Sequence, residues 1–216
     1  MGTGGEAGES APASVFLTNI AEIRNRVRQN IMSGAVTPDY KGDLKLTIAI
    51  LNEALATEIV CTLRYRNHFH LAEGIEAQSV AQEFLEHSNE ELNHAELIAK
   101  RIRELNGEPD YNPANLLSRS HSEYQTGATL TEMLQEDLIA ERIAIESYRE
   151  IVRYFAPHDP TSRRMMEDIL AREEEHAEEI QTLLSQTSWK SKEHLRQSFE
   201  ESGEIDESES TEGRSA

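Results

Sequence analysis

The chain has 216 residues, 38% hydrophobic and 28% charged, with 40 Asp and Glu against 21 Lys and Arg for a formal net charge of −19. The length suffices for one ordinary domain with a sizeable core, and the acidic balance argues against a nucleic-acid partner, which needs a basic surface to displace counterions. One cysteine, Cys61, excludes an intrachain disulfide and a cysteine-based zinc site, and the absence of a leader pattern or of a run of about 18 apolar residues sets the expectation of a cytoplasmic protein with no membrane partner.

Residues 1–14, MGTGGEAGESAPAS, are Gly-, Ala-, Ser- and Glu-rich and predict a disordered N-terminal tail. A short helix follows from about Leu17 to Met32. Four long stretches of strong helix formers then lie between proline and glycine breakers. The first runs from about Leu44 to Glu73, with Asp43 as its N-cap and Gly74 as its stop. The second runs from about Glu76 to Leu105 and stops at Asn106-Gly107. The third runs from about Thr131 to Phe155, before Pro157, and the fourth from about Thr161 to Leu184, entered through His158-Asp159-Pro160. Residues 200–216 are acidic and Ser-rich and predict a disordered C-terminal tail, so the expected folded body is 15–199.

No stretch reads as a half-buried strand, so the expected class is all-α: a four-helix bundle with an extra N-terminal helix. The first two long helices, and the last two, are joined by short links and form antiparallel hairpins. The middle connection, LNGEPDYNPANLLSRSHSEYQTGAT, is about 25 residues long. A loop of that length needs a structural reason, and a crossover along the bundle supplies one. Two hairpins joined by one long crossover is a ferritin-like topology.

The helices carry apolar seams at coiled-coil spacing, each interrupted by a glutamate. The fourth reads Met166, Ile169, Glu173, His176, Ile180, Leu183. The second reads Val80, Phe84, His87, Glu91, His94, Ile98, Ile102, Leu105. The first carries Glu58 and then Tyr65, the third Glu141 and then Tyr148, each tyrosine seven residues after its glutamate. Glu58 to Glu91 spans 33 residues and Glu141 to Glu173 spans 32, so the halves read as copies of one hairpin. His87 lies on the seam without a counterpart and reads as a hydrogen-bonded core histidine. His68 and His70 read as surface or interface residues, and Glu86 and Glu90 as a solvated face.

Four carboxylates facing one core cannot all stay ionised and unpaired, because each buried charge costs several kcal/mol. Either protons are retained or cations sit among them. One Glu from each of two helices, plus Glu-x-x-His from each of the others, is the ligand set of di-iron and di-manganese carboxylate bundles. Glu58, Glu91, His94, Glu141, Glu173 and His176 are therefore the candidate metal ligands. Oxygen-rich ligation without thiolate suits two Fe or two Mn ions, and Zn would bind too. Tyr65, on the same face as Glu58, is the candidate auxiliary residue beside the site.

On these residues the chain resembles the bacterioferritin and Dps-like branch of the ferritin-like superfamily. LNEALATEIVCTLRY, NEELNHAE, MLQEDLIAE and MMEDILAREEEHAEEI carry the resemblance, over about two thirds of the chain. It implies a ferroxidase centre that oxidises Fe(II) with O2 or H2O2, and storage of the ferric product as mineral in a homo-oligomeric shell of 12 or 24 subunits. By the same resemblance Glu91 and Glu173 would bridge two Fe ions, and Glu58, His94, Glu141 and His176 would be terminal ligands. Bacterioferritins bind haem through a methionine directly after the second-helix glutamate. Here that residue is Leu92, so haem is not expected. The long crossover, the N-terminal helix and the polar segment after the fourth helix lean towards a Dps-like shell of 12. A non-storing di-iron or di-manganese peroxidase or catalase-like enzyme is the alternative reading.

Overall fold

A computed structural model describes the backbone of residues 19–74 and 77–207, and the side chains up to Thr187 apart from Asn30. The regular elements among the described residues are all helices, with no strand. Contacts divide the chain into two units, Met1–Tyr40 and Lys41–Ala216, where the sequence alone suggests one body over 15–199. In the first unit α1 spans Ile20–Val27 and passes into a 3-10 turn, Arg28–Ser33, so the expected single helix to Met32 is shorter and tightens at its end. Asn19 caps it, its side-chain oxygen accepting from the Ala21 amide at 2.8 Å.

The second unit is the bundle. Its helices are α2 (Leu44–Leu71), α3 (Gln78–Glu104), the short α4 (Leu116–Arg119), α5 (Leu130–Phe155) and α6 (Pro160–Glu207). Asp43 caps α2 as expected, accepting from the Lys45 and Leu46 amides at 2.9 and 3.1 Å. Thr129 caps α5 by accepting from the Glu132 amide, and Glu132 accepts from the Ala128 amide in return. At the start of α6 Asp159 accepts from the Ser162 amide at 2.9 Å and is held by Arg101 of α3 at 3.0 Å. That buried contact ties the α5–α6 turn to the neighbouring hairpin.

α6 continues to Glu207, past the expected end near Leu184 and into residues 200–207 of the expected tail. The apolar seam stops near Leu184, but backbone hydrogen bonding needs no seam, and no proline follows to break it. Residues 1–14 and 208–216 of the expected tails lie outside the described residues.

The hairpins are α2–α3 and α5–α6. The long connection runs along α2, which is the reason for its length. Arg119 donates to the Asn52 carbonyl at 3.0 Å and to the Asp110 carbonyl at 2.9 Å. The His121 amide donates to the Thr57 hydroxyl at 3.0 Å, and Arg64 donates to the Glu123 carbonyl at 3.1 Å. At the end of α3, Asn106 takes a left-handed φ of 62°, and a side chain at Gly107 would meet Ile102 and Ile48 at under 3 Å. α2 is long and apolar enough by composition to cross a membrane, but half of that window is buried inside the bundle. Its apolar character serves the core: Leu51, Leu55 and Tyr65 are fully buried there.

Candidate metal centre

The seam spacing delivers the six candidate ligands to one depth. Glu58 comes from α2, Glu91 and His94 from α3, Glu141 from α5, and Glu173 and His176 from α6. All six are buried, with His94 the most open at 6% exposure. Their donor atoms fall into two sets, each within 4.8 Å: Glu58, Glu91, His94 and Glu173, and Glu91, Glu141, Glu173 and His176. Glu91 and Glu173 are common to both.

The imidazoles face the carboxylates through Nδ1. His94 Nδ1 lies 3.0 Å from Glu173, 3.4 Å from Glu58 and 3.6 Å from Glu91. His176 Nδ1 lies 3.3 Å from Glu91 and 3.5 Å from Glu173. Yet His94 Nδ1, His176 Nδ1, Glu58 Oε2, Glu91 Oε1 and both oxygens of Glu173 make no hydrogen bond. Buried polar atoms are almost always paired. Six inward-facing orphans in one cluster fit a site built for cations, and the N/O donor set suits first-row divalent ions.

The same crowding sets the protonation. Burial, and then the neighbouring charges of Glu91 and Glu173, push the Glu58 and Glu141 carboxyls well above the usual range. Burial also opposes ionisation of Glu91, but its contacts with Glu58, His176 and His94 outweigh it and hold Glu91 well below that range. For His176, burial disfavours the charge, and the facing carboxylates of Glu173 and Glu91 overcome it, so its pKa is pushed up to about 12. His94 is raised in the same way by Glu173, Glu58 and Glu91.

The surroundings hold the cage. The Tyr65 hydroxyl donates to Glu141, and the Tyr148 hydroxyl donates to Glu58. Each tyrosine thus serves the glutamate of the opposite hairpin, not the one seven residues before it in sequence. Tyr148 holds the same standing as Tyr65, which spacing along one helix does not reveal. Glu90, expected on a solvated face, accepts from His176 Nε2 at 2.6 Å and from Arg172 at 2.5 Å. It therefore fixes the His176 tautomer and turns Nδ1 towards the cage. His87 accords with the core reading, its Nε2 3.0 Å from Glu179. His68 is not a surface residue: it is fully buried, with Nδ1 2.8 Å from Asp137, which Arg64 also meets at 2.8 Å. That network lies one residue from Tyr65 along α2. The signal for it was Asp137 and Arg64 on faces that would otherwise bury unpaired charge.

The family model for the ferritin-like domain matches residues 48–188. A bacterioferritin of Rhodobacter capsulatus is 34% identical over 146 residues, covering 67% of this chain and 86% of that one. Among solved structures, a dodecameric thioferritin, the bacterioferritin-related protein of Bacteroides fragilis, superposes with a TM-score of 0.68 at 30% identity, covering 81% of this chain and 99% of that one. Rhodobacter capsulatus bacterioferritin, solved with a metal-free dinuclear site and haem iron, gives 0.61 at 32% identity, covering 68% and 88%.

Proposed function

The chain belongs to the ferritin-like domain family, and on that footing we propose that it stores and detoxifies iron, oxidising Fe(II) at the six-residue cage and holding the ferric product inside a homo-oligomeric shell. The observation that carries this reading is the pair of overlapping donor sets whose inward atoms have no hydrogen-bond partner. The similarity to proteins named bacterioferritin supports it.

In this reading two Fe(II) ions are substrates. Glu91 and Glu173 bind both. Glu58 and His94 complete one position, and Glu141 and His176 the other. Two Fe(II) supply two electrons, and O2 with two protons leaves as H2O2. Alternatively H2O2 with two protons leaves as two waters. Glu58, Glu141, His94 and His176 release protons as the cations enter, which places protons beside the reduced oxidant. Tyr65 and Tyr148 keep Glu141 and Glu58 oriented, and Glu90 does the same for His176. The net charge of −19 favours accumulation of cations near the surface. Leu92 has no thioether to offer a haem iron, so none is assigned. The dodecameric neighbour favours a shell of 12 over one of 24.

The same donors suit manganese, and a peroxidase or catalase-like enzyme that stores nothing is the competing reading. Iron uptake separates them. The sized oligomer receives increasing Fe(II) with O2, or with H2O2, and protein-bound ferric iron is counted per chain. Storage predicts many irons per chain in a soluble particle, lost in Glu173→Ala. Uptake that stops near the two positions of the cage while peroxide is still consumed refutes storage.

A further inference from the structure

A second group of ligand-type side chains lies beside the cage. Glu83 and His87 stand one turn apart on α3, and Glu179 of α6 faces them, with donor atoms all within 4.8 Å. His87 Nε2 is 3.0 Å from Glu179 Oε2 and 3.5 Å from Glu83 Oε1. The His87 side chain is 2% exposed, while those of Glu83 and Glu179 are 30% and 47% exposed. The carboxylates open onto a groove of about 420 Å³ that Glu175 and Glu178 also line. On its inner side the His87 ring stacks on His176, centroid to centroid 4.1 Å, and meets the edge of Tyr65 at 5.2 Å.

A histidine that serves only the core normally pairs both nitrogens. His87 does not: its Nδ1 has no partner, and Nε2 holds its proton against Glu179, where a cation can take the proton's place between the imidazole and the two carboxylates while Nδ1 carries the remaining N–H. Those carboxylates disfavour each other, and burial and the charge of Glu179 raise the Glu83 carboxyl. A cation would relieve the repulsion and use the imidazole at once.

We propose that Glu83, His87 and Glu179 form a third divalent-cation site, suited to Fe(II), Mn(II) or Zn(II), from which an ion enters the buried cage past His176. One imidazole and two carboxylates match first-row divalent ions. The half-open carboxylates keep part of their hydration, so the site binds more weakly than the cage, as an entry position must if the ion is to move on. The entry role rests on the two-iron reading of the cage; the site itself does not.

The test uses Zn(II), which is redox-silent, in crystals of the full chain soaked at increasing concentration and read by anomalous scattering. Wild type should show density in the cage first and then a separate peak at His87 Nε2. Glu83→Gln with Glu179→Gln should lose only the separate peak, and Glu173→Ala should keep it while losing the cage. No peak at His87 once the cage is full, or a peak that survives the double substitution, overturns the site. A peak at His87 with an empty cage upholds the site and sinks the two-iron reading instead. The double variant should also oxidise limiting Fe(II) severalfold more slowly with the same final stoichiometry, and an unchanged rate refutes the entry role.

Discussion

Titrating Zn(II) into the metal-free protein at pH 7 should displace protons from the cage, and their number follows from the structure. Burial and neighbouring carboxylates shift Glu58 and Glu141 towards their protonated forms. The facing carboxylates keep His94 and His176 protonated, with His176 pushed up to about 12. Each must lose one proton to ligate through the atom it turns inward. The expected release is therefore up to about four protons per chain. Two divalent cations bring in the same charge that four protons remove, so the dry cluster keeps its net charge. With ordinary values near 4.3 for Glu and 6.5 for His, the same six residues would release only about half a proton. Calorimetric titration in buffers of different ionisation enthalpy reads the number directly. A release below about one proton per chain would refute the protonation pattern and the burial argument behind it.

Three further outcomes follow from the same contacts. The metal-free protein should lose thermal stability as pH rises from about 5 to about 9. Above about 4.3 for the carboxyls and about 6.5 for the imidazoles the unfolded chain has lost protons that the native cage still holds, so raising pH favours unfolding. A melting temperature that rises over this window would contradict the raised Glu58, Glu141 and His176 values. Glu90→Ala should weaken Zn(II) binding at the cage by about 10–100-fold, because His176 loses the carboxylate that fixes its tautomer; calorimetry showing wild-type affinity would remove Glu90 from the site. Tyr148→Phe should destabilise the metal-free protein by about 1–3 kcal/mol in urea unfolding, since a buried Glu58 oxygen loses its donor. Tyr65→Phe should do the same through Glu141, and loss in only one variant would break the two-fold correspondence.

The class of fold and the membership of the cage were legible along the chain because both depend on local periodicity. A glutamate at seam spacing on a helix must face the core whatever the partner helix is, and Glu-x-x-His puts two donors one turn apart on that face. So Glu58, Glu91, His94, Glu141, Glu173 and His176 could be picked out before any contact was known. The break signals at Asp43, Gly107 and Pro160 act within a turn and were legible for the same reason. The register between helices was not. Tyr148 serving Glu58, Tyr65 serving Glu141, Glu90 reaching His176, and His68 buried on Asp137 all join residues at least 69 positions apart. No local pattern encodes which residue stands opposite another, because that depends on how two whole helices slide and rotate against each other when their side chains interlock. The length of α6 was hidden for the opposite reason. The apolar seam points to an end near Leu184, yet a helix continues on backbone hydrogen bonds wherever no proline stop interrupts it.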